Sequence, residues 1–354
     1  MDAHFQYPNT PEYNLDLEYP IDIPYLATGY YYIEIRAEDG SNFKNQYLKI
    51  FIEEIPSELE SIIVLTHKDD QTLNVYKIEE SNYVTPLFEV HGDYRSSALS
   101  ARHKQLYIAG SQLTNLVSYD LETNENDWLL DPAPPFPMHA YDCLYYDQYL
   151  YCTFEYLWIY GYNNYGQVKF SNSISEAGTP SRPYKFKNLL LVDVQNPSPG
   201  QTYLGTYYAQ TGSEKQRLQI DFRVVEFFEW DSEQVIIVAK HAGAGLIMLY
   251  DPYQNVITSL MGVPGTIVCA EKTESNKIVI GTDSQLYLFS YYPPVLNPVL
   301  PGETALRLRF DTLNHHLYLS GPDNIKKIIY PEMVYQNVSF FSDSILNFHL
   351  FYNK

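Results

Sequence analysis

Hydrophobic residues along this chain alternate with polar ones or fall in short unbroken runs, and nowhere do they keep a sustained helical period. The runs are bounded by Gly, Pro, Asn and Asp, which is the pattern of an all-β protein. The stretch "SILNFHLFYNK", Ser344 to Lys354, is a clear case. It predicts a buried strand with Ile345, Asn347, His349 and Phe351 on one side and Leu346, Phe348, Leu350 and Tyr352 on the other.

The runs repeat. A short apolar strand recurs seven times: "IIVLTH" from Ile62, "LYIAGS" from Leu106, "LYCTFE" from Leu150, "LLVDVQ" from Leu190, "IIVAKH" from Ile236, "IVIGTD" from Ile278 and "LYLSGP" from Leu317. The spacing is about 42 residues, and each copy is followed by a second strand carrying an aromatic residue, such as "LNVYKI" or "IMLYDP". A third, more polar strand usually follows, as in "QVKFSN". Four strands per unit at this period predict a β-propeller, here with seven blades. Six of the seven copies are preceded by an inner strand and a tight turn, but Ile62 follows the polar linker "EEIPSELE". One inner strand is missing at the front and one is spare at the end. "SILNFHLFYNK" is therefore expected to pair beside "IIVLTH" and close the ring, which removes two open sheet edges.

Residues 1–57 lie outside the repeat and residues 58–354 within it. "YYYIEIRAEDGSNFKNQYLKIFIEE" predicts a hairpin through Asp39-Gly40. "PYLATGYYYIEIRAEDG" has the look of the last strands of an immunoglobulin-like or PKD-like module, so the front piece is half a module or a truncated one.

Composition narrows the partners. The net charge of −20 repels phosphate backbones and anionic lipid, so nucleic acid and membrane surfaces are poor partners. No apolar run is long enough to span a membrane, and Met1 is followed by polar residues rather than a secretory signal. Tyrosine is abundant, at 35 residues of 354, which suits strand packing and leaves some rings for a binding surface. Three cysteines do not make a disulfide framework.

The order of parts also carries a resemblance. "LATGYYYIEIRAEDGSNFKNQYLKIFI" followed by "IPSELESIIVLTHKDDQTLNVYKIEE" resembles the PKD-like family of surface lipoproteins of Gram-negative bacteria, in which a PKD-like module leads directly into a propeller. Such proteins are often encoded beside outer-membrane glycan importers. The resemblance implies a place at the cell surface or in the periplasm, with a glycan or a protein of an importer complex as partner; the chain is expected to be a monomer. The lipoprotein signal of that family is missing here, which keeps a cytoplasmic location open. Other propeller families fit worse. The chain has no repeated Trp-Asp with Gly-His, no kelch double glycine and no sialidase Asp-box.

In a propeller, the outer-to-inner crossings and the second-to-third turns share the face around the central channel. Three crossings put an arginine at or just ahead of the inner strand: Arg95, Arg182 and Arg223, with Tyr94, Tyr141 and Tyr184 beside them. The second-to-third turns add Lys240, His241, Asp283 and Asp323. The proline-rich crossing "PAPPFPMHAYD" displays Phe136, Met138 and His139 on a stiff loop, as a ligand wall or as a lid over the core. Such a mouth suits a carboxylated sugar or an acidic peptide end, bound by bidentate arginine contacts and ring stacking. The bland alternative is that these arginines only tie loops to blades.

Carboxylates for catalysis come from Asp142, Glu226, Asp283 and Asp323, but no spacing marks a pair. His315-His316 falls on the opposite face, where adjacent strand residues point apart, so no metal is expected there; His349 is expected to pack or hydrogen-bond in the closing strand. If Asp147-Gln148 is a two-residue turn, Tyr146 faces Tyr149 and Cys143 faces Cys152, as two thiols in contact or a disulfide. The expected function is non-catalytic binding without a cofactor. The competing classes are a lyase or hydrolase in the channel mouth and a structural scaffold.

Overall fold

The structure is a computed structural model. It describes residues 29–39, 42–52, 58–79, 81–110, 116–130, 139–146, 149–154, 158–163, 166–173, 178–195, 202–274 and 276–353. The chain divides into two compact units, Met1–Pro56 and Ser57–Lys354. In the first, strands Gly29–Asp39 and Asn42–Ile52 pair antiparallel from Gly29 with Ile52 to Asp39 with Asn42. Asp39 is thus the last ladder residue of its strand rather than part of the turn.

The second unit is a seven-bladed β-propeller. Each blade is an antiparallel sheet whose strands follow in order from the channel outward. The inner strands are Ser344–Asn353 in blade 1, Ser96–Ser100 in blade 2, Ala140–Tyr146 in blade 3, Arg223–Glu229 in blade 5, Ile267–Glu274 in blade 6 and Arg307–Asp311 in blade 7. Blade 4 splits its inner strand into Thr179–Pro180 and Tyr184–Phe186. Inner strands of consecutive blades pack against one another, blade 7 against blade 1 included; where blade 4 meets blade 5, the second strand of blade 4, Leu189–Gln195, and the Tyr184 ring make the contact.

The second strand of each blade is covered on both faces, which is why the repeat stands out as unbroken apolar runs rather than as alternation. Ile62 and Val64 point to a cluster shared with Tyr318 and Ile325 of blade 7. Their neighbours Ile63 and Leu65 point the other way, to a cluster with Leu106 and Ile108 of blade 2. The same division separates Ile236 and Val238, which face blade 6, from Val235 and Ile237, which face blade 4. Each of the seven blade–blade interfaces holds one such core. Outer strands carry little of it, and Val334–Phe340 is exposed at most positions.

The last strand closes the ring as expected. Ser344–Asn353 pairs antiparallel with Glu58–Asp69, with Ile63 opposite His349 and Leu65 opposite Asn347. The predicted alternation fails at one point. The register shifts between Leu65 and Thr66, whose partners are Asn347 and Ile345, so Leu346 is bulged. A bulge inverts side-chain parity on one side of it. Ile345 therefore packs toward blade 7 with Phe348, while Leu346 and Phe351 pack toward blade 2.

The cysteine inference holds in register: Tyr146 pairs with Tyr149 and Cys143 with Cys152, although residues 147 and 148 lie outside the described residues. Both cysteines are buried free thiols, not a disulfide. Burial pushes the Cys143 thiol up to about 12, so it is unreactive at neutral pH.

Phe348 is fully buried between blades 7 and 1. Phe348→Ala is expected to lower unfolding free energy by about 3–5 kcal/mol, read from denaturant titration. Removal of residues 344–354 is expected to abolish the cooperative melting transition in circular dichroism. A melting curve unchanged by that truncation would refute ring closure.

Candidate functional site

The starts of the inner strands converge on the channel, and three of them are bulged at the same place. In blades 3, 5 and 6 the register skips Tyr141, Val225 and Val268. Each bulge adds a residue and re-aims the one after it. The residues that follow are Asp142, Glu226 and Cys269, and all three line the channel mouth. In blade 4 the strand is interrupted instead. Ser181 donates from its backbone N to Asp193 O at 2.9 Å and from its hydroxyl to the Asp193 carboxylate, which is fully buried in the second strand. That anchor holds out Arg182, flanked by Pro180 and Pro183.

These residues enclose a cavity of about 200 Å³. Arg182 sits between Asp142, with Nε 3.7 Å from Oδ1, and Glu226, with Nη1 3.7 Å from Oε2. Arg309 of blade 7 stands 3.7 Å from Glu271 of blade 6 and donates to Leu308 O at 2.7 Å. At 3.7 Å these are ion pairs without hydrogen bonds. Arg307 joins the same wall and donates to Leu306 O at 2.9 Å. Arg95 lies over the Tyr141 ring, 4.5 Å from its centre. Four arginines, Arg95, Arg182, Arg307 and Arg309, therefore face two carboxylates in the cavity wall.

Asp142, Arg182 and Glu226 keep 27%, 30% and 25% of their side-chain surface exposed, because they border an open channel. Burial still pushes the carboxyls of Asp142 and Glu226 above the ordinary range, and Arg182 draws them back only in part. Burial works against the charge on Arg182, but Asp142 and Glu226 outweigh it and raise its pKa. Burial also pushes Glu271 up to about 7, against the pull of Arg309. Beneath the mouth, the Ser97 hydroxyl meets Tyr94 OH at 3.0 Å, His349 Nε2 at 2.8 Å and the Asn347 amide at 3.1 Å. Burial, with Arg309 and Arg182 nearby, keeps His349 neutral. His349 hydrogen-bonds in the closing strand, as its position predicted.

Of the expected site residues, Tyr94, Arg95 and Arg182 line the cavity and Tyr141 supports Arg95. Tyr184 turns away and stacks on Phe227, 5.4 Å between ring centres, in the core between blades 4 and 5. Arg223 and Lys240 are register partners in blade 5, outside the cavity wall. His241 is tied to Asp221 O through Nδ1 at 2.6 Å. Asp283 accepts from Thr266 N at 3.3 Å, and Asp323 accepts from the Asn324 amide at 2.8 Å; these three lie outside the cavity wall. His139 is half-buried and outside the cavity wall, while Phe136 and Met138 lie outside the described residues. Arg307, Arg309 and Glu271 were not anticipated. The rule that found Arg95, an arginine at the start of an inner strand, also reaches Arg307 and Arg309 in "ALRLRFD". His315 takes a turn conformation, φ 53°, just before the strand that opens with His316, so the two do not share a strand. No cluster of three or more His, Cys, Asp or Glu suited to a metal ion occurs among the described residues.

No protein-family model matches the sequence, and no curated protein matches it. Solved structures match the fold at low identity. Hydrazine synthase of Kuenenia stuttgartiensis is similar over 79% of this chain and 95% of that chain, with 10% identity and a TM-score of 0.58. A chain of the Mitotic Checkpoint Complex is similar over 72% and 79%, with 10% identity and a TM-score of 0.57. The WD40 beta propeller domain of Doa1 is similar over 73% and 85%, with 12% identity and a TM-score of 0.56. At such identities the likeness is one of fold.

Glu271 gives this site a pH signature. Its folded pKa, about 7, lies above the ordinary 4.5, so between those values the folded state holds a proton that the unfolded state has released. The resulting stability is complete below the unfolded value and is lost as pH rises through about 7. Thermal melts between about pH 5 and pH 8 are expected to show a loss on the order of 1–3 kcal/mol from this group. Glu271→Gln should flatten the profile; an unaltered slope would show that Glu271 ionises normally.

Proposed function

We propose that this protein is a non-catalytic binding protein whose propeller mouth recognises an anionic group on a glycan or a protein partner. The observation that carries the reading is the local reversal of charge. A chain of net charge −20 sets four arginines against two carboxylates in one cavity. A low-dielectric cleft with an excess of one sign concentrates ligands of the other sign. Guanidinium forks bind carboxylates in bidentate geometry. A volume of about 200 Å³ is smaller than pockets for drug-sized ligands, so the cavity takes one small group or the tip of a larger molecule. The chain of the Mitotic Checkpoint Complex that shares the fold belongs to a protein assembly, which favours a protein partner by analogy. The resemblance of the leading hairpin to PKD-like surface lipoproteins favours a glycan and a place at the bacterial cell surface.

An enzyme acting in the same mouth is the second reading, favoured by the raised carboxyls of Asp142 and Glu226. Against it, Asp142 accepts from the Ser96 hydroxyl and from Cys143 N, Glu226 accepts from Phe227 N, and Arg182 stands between them. One oxygen of each carboxylate, Asp142 Oδ1 and Glu226 Oε1, is thus committed to the fold.

Uronate-bearing oligosaccharides and acidic peptides should bind, with affinity falling as salt rises. Arg95→Ala and Arg307→Ala should each weaken binding by about tenfold or more, since a charged hydrogen bond contributes about 1.5–3 kcal/mol. Arrays of acidic glycans and peptides, followed by calorimetry on hits, measure this. Binding that survives the double variant would remove the site from the channel mouth, and turnover of a bound oligosaccharide would establish the enzyme reading.

A further inference from the structure

The charges around the mouth are not mixed evenly. Going round the ring, blade 7 supplies Arg307 and Arg309, blade 1 the neutral Asn347 and blade 2 Arg95. Blades 3, 4 and 5 supply Asp142, Arg182 and Glu226. In a closed seven-membered ring, blade 7 lies across the channel from blades 3 and 4, and the arc of blades 7, 1 and 2 adjoins that of blades 3, 4 and 5 where Ser96 of blade 2 meets Asp142 of blade 3. Arg307 and Arg309, with Glu271 of neighbouring blade 6 as the paired carboxylate, leave the first arc positive; two carboxylates with Arg182 leave the second negative. The second arc also keeps open acceptors. Asp142 Oδ2 and Glu226 Oε2 accept no hydrogen bond among the described residues, and Arg182 approaches Glu226 Oε2 no nearer than 3.7 Å. A ligand with one charge satisfies one arc and meets repulsion from the other.

We infer that the group recognised here is a small zwitterion of amino-acid type, with its carboxylate on the arc of Arg307, Arg309 and Arg95 and its ammonium on the arc of Asp142 and Glu226. The inference rests on the anion-binding reading of the same mouth and adds the second charge. Arginine forks meet the two oxygens of a carboxylate, while an ammonium offers three donors to carboxylate oxygens. An ammonium at the open Asp142 Oδ2 and Glu226 Oε2 also adds opposing charge against the burial that pushes both carboxyls up, which Arg182 offsets only in part.

Calorimetry near neutral pH with β-alanine, γ-aminobutyrate and ε-aminocaproate tests this. Each is set beside the matching acid (propionate, butyrate or caproate) and the matching amine. At least one amino acid is expected to bind about tenfold or more tighter than both of its singly charged analogues. Glu226→Gln should reduce that affinity to the level of the acid alone while leaving the acid unaffected or tighter. Asp142→Asn is measured in parallel, with melting curves for both, so that a misfolded variant does not stand for lost recognition. If the acids bind as tightly as the amino acids, the zwitterion inference falls and anion recognition stands. If neither amino acids nor acids bind, the inference falls, and blank arrays of acidic glycans and peptides would take the anion reading with it.

Discussion

The ladder between Ser344–Asn353 and Glu58–Asp69 is the constraint on which the rest depends. Glu58 N and Asn353 Oδ1, in hydrogen bond at 2.6 Å, are 295 positions apart in the chain. Drawing the ends together costs loop-closure entropy, but that cost grows only slowly with length. Against it stand the two apolar faces of blade 1, one packed on blade 7 and one on blade 2. Without the closing strand both clusters lose part of their cover, and two sheet edges stand open. The polar side of the same strand is committed too: Asn347 and His349 both reach Ser97 of blade 2.

Closure also makes the site. No single blade holds more than a fragment of it. Asp142, Arg182 and Glu226 come from three consecutive blades, Glu271 and Arg309 from two more, and the ion pairs between them span blade boundaries. The bulges at Tyr141 and Val225 and the break at Ser181 are local disruptions of strand pairing. Each sets a charged side chain toward the channel that regular alternation would have placed otherwise. The upward push on Asp142, Glu226 and Glu271 has the same origin, since opposing charge arrives only at ion-pair distance and burial is not fully offset.

The repeat, the blade count and the closing strand were legible because their signals are local. Second strands buried on both faces read as apolar runs, and the two-residue turn expected at Asp147-Gln148 aligned Cys143 with Cys152 by counting alone. The site was legible in part. Tyr94, Arg95 and Arg182 were found by position at a crossing. Tyr184 met the same rule and went to the core, because its ring finds Phe227 in the interface between blades 4 and 5. His241, Asp283 and Asp323 stand at the right turns but are taken up in bracing their own loops. Leu346 shows the limit most simply: one bulged residue inverted the faces expected for Ile345 and Leu346.

What the sequence determined by itself was the number, order and closure of the blades, because hydrophobic period and turn chemistry act over a few residues and repeat along the chain. Which charged residues share one cavity, and that they divide into a positive and a negative arc, was decided only by the tertiary structure. Arg309 and Glu226, from blades 7 and 5, line one channel whose width no periodicity encodes, and the bulges that aim the carboxylates arise when a strand is paired with its neighbour.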